Sequence, residues 1–190
     1  METTVNLFET IWNQESIQNQ SLSELKSAEH RYAKDLKLNL KAAFDLKEWS
    51  EIEMVLAAIA IAANNGQEGL LKQLKKEAEQ LGVDESLQAE ATALASLLSA
   101  NNVLYRFRHF VNKESYEQLP ARMRMNIMMQ PQMGKELFEL ISLQISAING
   151  CEACVKAHEQ SLIELGCNET RIWEGVRMAS ILTSTKAFLS

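Results

Sequence analysis

An all-α fold is what the sequence predicts, on three observations. Only two prolines and seven glycines interrupt its 190 residues. The Val, Ile, Thr and aromatic alternation typical of strands is nearly absent. Apolar residues recur instead at helical spacing, in segments bounded by capping residues and glycines. The length fits one domain or two small, similar halves, and either buries a core without covalent staples.

The elements follow in order. Residues 1–20 carry Phe8, Ile11 and Trp12 among polar residues, the pattern of a short amphipathic helix that docks weakly or mediates a contact. Ser21 with Glu24 three places on reads as an N-cap, opening a helix that runs through Leu25, Tyr32, Leu36 and Leu40 towards Phe44. Lys34, Lys37 and Lys41 form its solvated side. Residues 51–64 make an apolar helix halted by Asn64-Asn65-Gly66, and Leu70–Leu81 a helix ended by Gly82. Asp84 caps the next, over Leu87–Ala100, and residues 101–111 hold Tyr105, Arg106, Arg108 and His109. Arg122–Met129 is expected as a short helix closed before Pro131, its methionines serving adaptable packing or a subunit interface. Residues 135–149, 151–165 and 168–189 complete the chain as three helices.

Charge and cysteine usage narrow the function. A formal charge of -6 and a pI near 5.2 argue against a nucleic-acid partner, because phosphate contacts need clustered Lys and Arg. Residues 1–20 lack the basic and apolar regions of a secretory signal, and the longest apolar run, Met54–Ala63, is too short to span a bilayer. A cytoplasmic protein without a membrane partner is expected. In that compartment three cysteines are not a structural disulfide framework. They divide into the close pair Cys151 and Cys154 and a third, Cys167, which fills an apolar site as a small hydrophobe.

A shift of 84 residues lays Ala63-Asn64-Asn65-Gly66 on Ala147-Ile148-Asn149-Gly150, Leu81-Gly82 on Leu165-Gly166, and Ala95-Ser96-Leu97-Leu98 on Ala179-Ser180-Ile181-Leu182. About a third of positions 63–99 match their counterparts, which points to a duplicated helical unit with repeats near 50–110 and 134–190. In this register Val55, Gln67, Leu70 and Leu74 stand where Glu139, Cys151, Cys154 and His158 do. One half carries chemistry and the other packing.

Gly150 places Cys151 at the start of a helix, where free amide N–H groups and the helix dipole favour a thiolate. Cys151, Cys154 and His158, at i, i+3 and i+7, share one face. Glu139 lies eleven residues before Gly150 and His158 eight after it, so in an antiparallel hairpin the two come within hydrogen-bond reach, directly or through one water. A carboxylate beside an imidazole can take the proton of Cys154 and later return one to a leaving oxygen. The same four residues could ligate zinc, although three ligands on one helix are unusual in a structural site. His30 and His109 have no such company.

The Cys-x-x-Cys-x-x-x-His core resembles the carboxymuconolactone decarboxylase-like superfamily. Tyr32–Leu40, Asn101–Arg106, Arg124–Ile127, Phe138–Leu140 and Ser146–Cys151 narrow the resemblance to the alkylhydroperoxidase D (AhpD) family, over nearly all of residues 21–190. The resemblance implies an AhpD-like helical bundle and a peroxidase with Glu139, Cys151, Cys154 and His158 as its active site. Cys154 would meet the hydroperoxide and become a sulfenic acid, and Cys151 would resolve it as a disulfide. The reductant would be a dihydrolipoyl group on an acyltransferase subunit of an oxo-acid dehydrogenase, with no cofactor tightly bound. A peroxiredoxin of the AhpC type would be a further partner, and the assembly a homotrimer. Ala153 departs from the family pattern, which has a histidine between the cysteines, and residues 1–20 extend beyond its usual start. A decarboxylase of the lactone class and a non-enzymatic oligomerisation module with a zinc or inert cysteine pair are the alternatives.

Overall fold

The computed structural model describes residues 6–190, so the first five positions of the expected N-terminal extension lie outside the described residues. Ten α-helices form among them: α1 (Leu7–Asn13), α2 (Gln20–Ser27), α3 (Arg31–Ala43), α4 (Glu51–Asn65), α5 (Glu68–Gln80), α6 (Glu85–Val111), α7 (Glu114–Glu117), α8 (Lys135–Ile148), α9 (Glu152–Glu164) and α10 (Glu169–Ser184). The described residues contain no strand, only an isolated bridge between Gln18 and Leu189. No described helix is long and apolar enough to cross a membrane.

Two helices make the centre. In α4 every residue from Met54 to Ala62 is buried, and in α8 every residue from Leu137 to Ser146. A helix apolar on all sides must be enclosed, and α4 is packed by α5, α6, α8 and α10. Ser50 starts α4 with a reciprocal capping box to Glu53. Gly66 and Gly150 follow the two central helices at φ 71° and 70°, and a Cβ on either would meet nothing within 4 Å. Glycine is therefore required there by backbone conformation alone. The helix starts Glu51, Glu68 and Glu85 recur 84 residues on at Lys135, Glu152 and Glu169. Arg171 of α10 ties the starts of α4 and α8 together, pairing with Glu53 and Glu136.

Three elements differ from the sequence expectation. The helix expected from Ser21 to Phe44 is two helices, capped by Asn19 and His30. Between them Glu29 takes a left-handed φ of 49°, and the His30 N–H donates to Leu25 O at 3.0 Å, a helix-ending pattern that turns the chain before α3. The short helix expected over Arg122–Met129 is irregular apart from one 3-10 turn, Asn126–Met128. Buried Glu90 of α6 explains the next bend, because its carboxylate accepts from the backbone N–H groups of Gln132 and Met133, both at 2.8 Å. That arrangement holds the loop across α6. Finally, α1 docks firmly, burying Leu7, Phe8 and Ile11, and Ser190 N–H donates to Ile17 O, so the N-terminal segment is fastened to the C-terminus.

Candidate active site

The site forms where α8 turns into α9. Gly150 ends the first helix, and Cys151 becomes the N-cap of the second, its N–H donating to Ser146 O at 3.0 Å. Cys154 follows in the first turn of α9, where free amide N–H groups favour negative charge on sulfur. The two cysteines are joined as a disulfide with a Cα–Cα distance of 5.3 Å. They differ in access. Cys151 is fully enclosed, whereas Cys154 lines a cavity of about 260 Å³.

His158, one turn beyond Cys154, lines the same cavity. Its Nδ1 lies 2.6 Å from Glu139 Oε2, and both residues are buried, at 8% and 3% exposure. Lys135, one turn earlier on α8, pairs with the other oxygen of Glu139 at 2.7 Å. Burial pushes the Glu139 carboxyl up, but the hydrogen bonds and charges of His158 and Lys135 outweigh it and hold the carboxyl below the usual range. The carboxylate is thus ionised and fixes the imidazole from behind. His158 Nε2 makes no hydrogen bond to the described residues, leaving that nitrogen for a proton.

The turn bearing Cys151 is braced from two other helices. Asn149 exchanges side-chain hydrogen bonds with Asn64 of α4 at 3.1 and 3.2 Å and donates to Asn102 Oδ1 of α6 at 2.9 Å. Asn102 in turn donates to Ser146 Oγ at 3.0 Å, and Arg106 donates to Asn149 O at 2.5 Å. Lys135 and this amide network were not among the expected site residues. The Lys-x-x-x-Glu spacing in α8 and the polar Asn101-Asn102 pair, one turn after apolar Leu98, are the signals that could have found them.

The remaining candidates lie apart. Cys167 is a buried free thiol, which burial and then the charge of Glu136 push up. His30 caps α3, accepting from Tyr32 N–H. His109 is exposed and sits 3.3 Å from Glu152. Among the described residues no group of three or more His, Cys, Asp or Glu side chains is arranged to hold a metal ion.

Residues 114–189 match the sequence profile of the carboxymuconolactone decarboxylase family. A protein of Anaeromyxobacter sp. (strain K) named alkyl hydroperoxide reductase AhpD is 39% identical over 162 residues, covering 85% of this chain and 87% of that one. A protein of the same name from Coxiella burnetii (strain Dugway 5J108-111) is 42% identical over 156 residues, covering 80% of this chain and 86% of its own. With relatives this similar over most of both lengths, the chain belongs to the alkyl hydroperoxide reductase AhpD family.

Proposed function

We propose that the chain is a thiol-dependent alkyl hydroperoxide reductase whose working group is the Cys151–Cys154 dithiol. The observation that carries the reading is that Cys154 and His158 open on one cavity while Glu139 backs His158 at 2.6 Å.

With the pair reduced, His158 takes the Cys154 proton and Glu139 balances the imidazolium that forms. The thiolate attacks the terminal oxygen of the hydroperoxide, so an S–O bond forms as the O–O bond breaks. His158 returns its proton to the departing alkoxide, and Cys154 is left as a sulfenic acid. The Cys151 thiol then attacks Cys154, its proton leaving with the hydroxyl as water, and the disulfide closes. One hydroperoxide and two thiols thereby become an alcohol, water and a disulfide.

Reduction of that disulfide falls to a dihydrolipoyl group on an acyltransferase subunit of an oxo-acid dehydrogenase. A dithiol suits the task because its second sulfur displaces the mixed disulfide intramolecularly, at high effective concentration. The dithiol can pass its electrons on to an AhpC-type peroxiredoxin. A reducing cytoplasm would keep the pair available. The exposed row Val103, Phe107 and Phe110 along α6 supports assembly, as a homotrimer, through that face. Residues 21–190 are one domain built from a duplicated unit, of which the second copy acquired the chemistry. Lactone decarboxylation, the reaction for which the wider family is named, has no use for a paired thiol, and Cys154 at a cavity wall is poorly placed for inert packing.

Hydroperoxide consumption with dihydrolipoamide as reductant tests the proposal. Wild type turns over and Cys154→Ser does not. A wild type unable to consume any hydroperoxide, or a Cys154→Ser variant as fast as wild type, overturns it.

A further inference from the structure

The cavity beside Cys154 has a mostly apolar wall, built from Leu98, Met125, Met128 and Ala157, with few polar groups. Besides Tyr105 and Cys154 itself, three polar side chains line it, and two of these are already engaged. His158 holds Glu139 through Nδ1, and the Asn102 amide is spent on Ser146 and Asn149. Asn101, its neighbour on α6, is different. It also lines the cavity and is only 4% exposed, yet its side-chain oxygen finds no hydrogen-bond partner among the described residues. Its amide nitrogen has only a long approach to Met128 Sδ at 3.9 Å. A buried acceptor left unpaired is costly, and an interior group of this kind needs an explanation such as a ligand that supplies the missing donor.

We propose that Asn101 is the residue that holds the hydroperoxide against Cys154, an inference that rests on the peroxidase reading above. A hydroperoxide carries one donor, the O–H on the oxygen that sulfur attacks. Accepted by Asn101 Oδ1, that hydrogen turns away from the sulfur and leaves the O–O bond open to it. The hydrogen stays on the attacked oxygen and becomes the hydrogen of the Cys154 sulfenic acid. His158 supplies the separate proton that leaves with the alkoxide. The organic substituent lies against Leu98, Met125 and Met128, where hydrogen peroxide has nothing to place.

Single-turnover oxidation of the reduced protein by cumene hydroperoxide and by hydrogen peroxide tests this, with Asn101→Leu to remove the acceptor at similar volume and Asn101→Ser to restore a shorter one. The pH dependence of Cys154 alkylation by iodoacetamide reports separately on the thiolate. Wild type is expected to react at least tenfold faster with cumene hydroperoxide than with hydrogen peroxide. Asn101→Leu loses at least tenfold of the cumene hydroperoxide rate with its alkylation profile in place, and Asn101→Ser recovers part of the loss. Oxidation of Asn101→Leu at the wild-type rate, or an alkylation profile displaced along with the rate, overturns the assignment while leaving the peroxidase reading intact. If reduced wild type itself fails to react with either peroxide, that reading falls first.

Discussion

Glu139 Oε2 lies 2.6 Å from His158 Nδ1 across the turn between α8 and α9, and the contact is buried on both sides. In the mechanism proposed above, the carboxylate orients the imidazole and stabilises the charge it gains on taking the Cys154 proton. Glu139→Gln keeps the shape and removes the charge. It should slow hydroperoxide turnover at least ~10-fold, given that positioned proton transfer contributes roughly a hundredfold or more. Steady-state assays with dihydrolipoamide check this, and an unchanged rate would contradict the relay.

Lys135 sets the acid side of the same device. Its ammonium, 2.7 Å from Glu139, helps hold the carboxyl down against the burial that pushes it up. Lys135→Met should move the acid limb of the pH–rate profile to higher pH. For stability the sign is fixed by the depressed native pKa: the contribution of ionised Glu139 is fully present above the unfolded carboxylate value and is lost as pH falls through the lower native one. Urea midpoints of wild type and Glu139→Gln, measured from neutral to acid pH, should converge at the acid end.

Two glycines separate conformation from space. A Cβ at Gly150 would meet nothing within 4 Å, but its φ of 70° disfavours any L side chain, so Gly150→Ala should cost roughly 1–2 kcal/mol. At Gly175 a Cβ would come within 2.5 Å of the Trp49 ring and 2.6 Å of Gln144 Nε2. Gly175→Ala overpacks the junction of α10 with α8 and Trp49 and should cost about 1–3 kcal/mol. Chemical denaturation measures both losses. Peroxide kinetics should distinguish them, because only Gly150 adjoins Cys151.

Cys167 should be chemically quiet. Burial and the charge of Glu136 push its thiol up, so little thiolate is present at neutral pH. Cys167→Ala is expected to keep turnover within about twofold of wild type, and iodoacetamide should modify reduced Cys154 well before Cys167. Faster labelling of Cys167 would count against this assignment.

Much of the architecture was legible because it depends on local rules. Helical periodicity and the glycines at 66 and 150 predict α4, α5, α8 and α9 to within about two residues. The spacing of Glu139 and His158 about Gly150 carries their encounter, since helix rise alone brings them within about one turn of each other. What escaped depends on contacts between distant segments. Glu90 fixes the bend at residues 132–133, by claiming two backbone amides 42 and 43 residues away. The Asn64–Asn149–Asn102 bridge exists only once α4, α6 and α8 have packed. The left-handed Glu29 splits a continuous helical pattern, with no glycine to announce it.

The measurement that bears most directly on the central claim is the site of first oxidation. Reduced Cys151→Ser cannot close the disulfide, so one equivalent of cumene hydroperoxide followed by dimedone and peptide mass spectrometry records where the sulfenic acid forms. The account predicts a single adduct, on Cys154. An adduct on Cys167 instead, or none although the hydroperoxide is consumed, would contradict it.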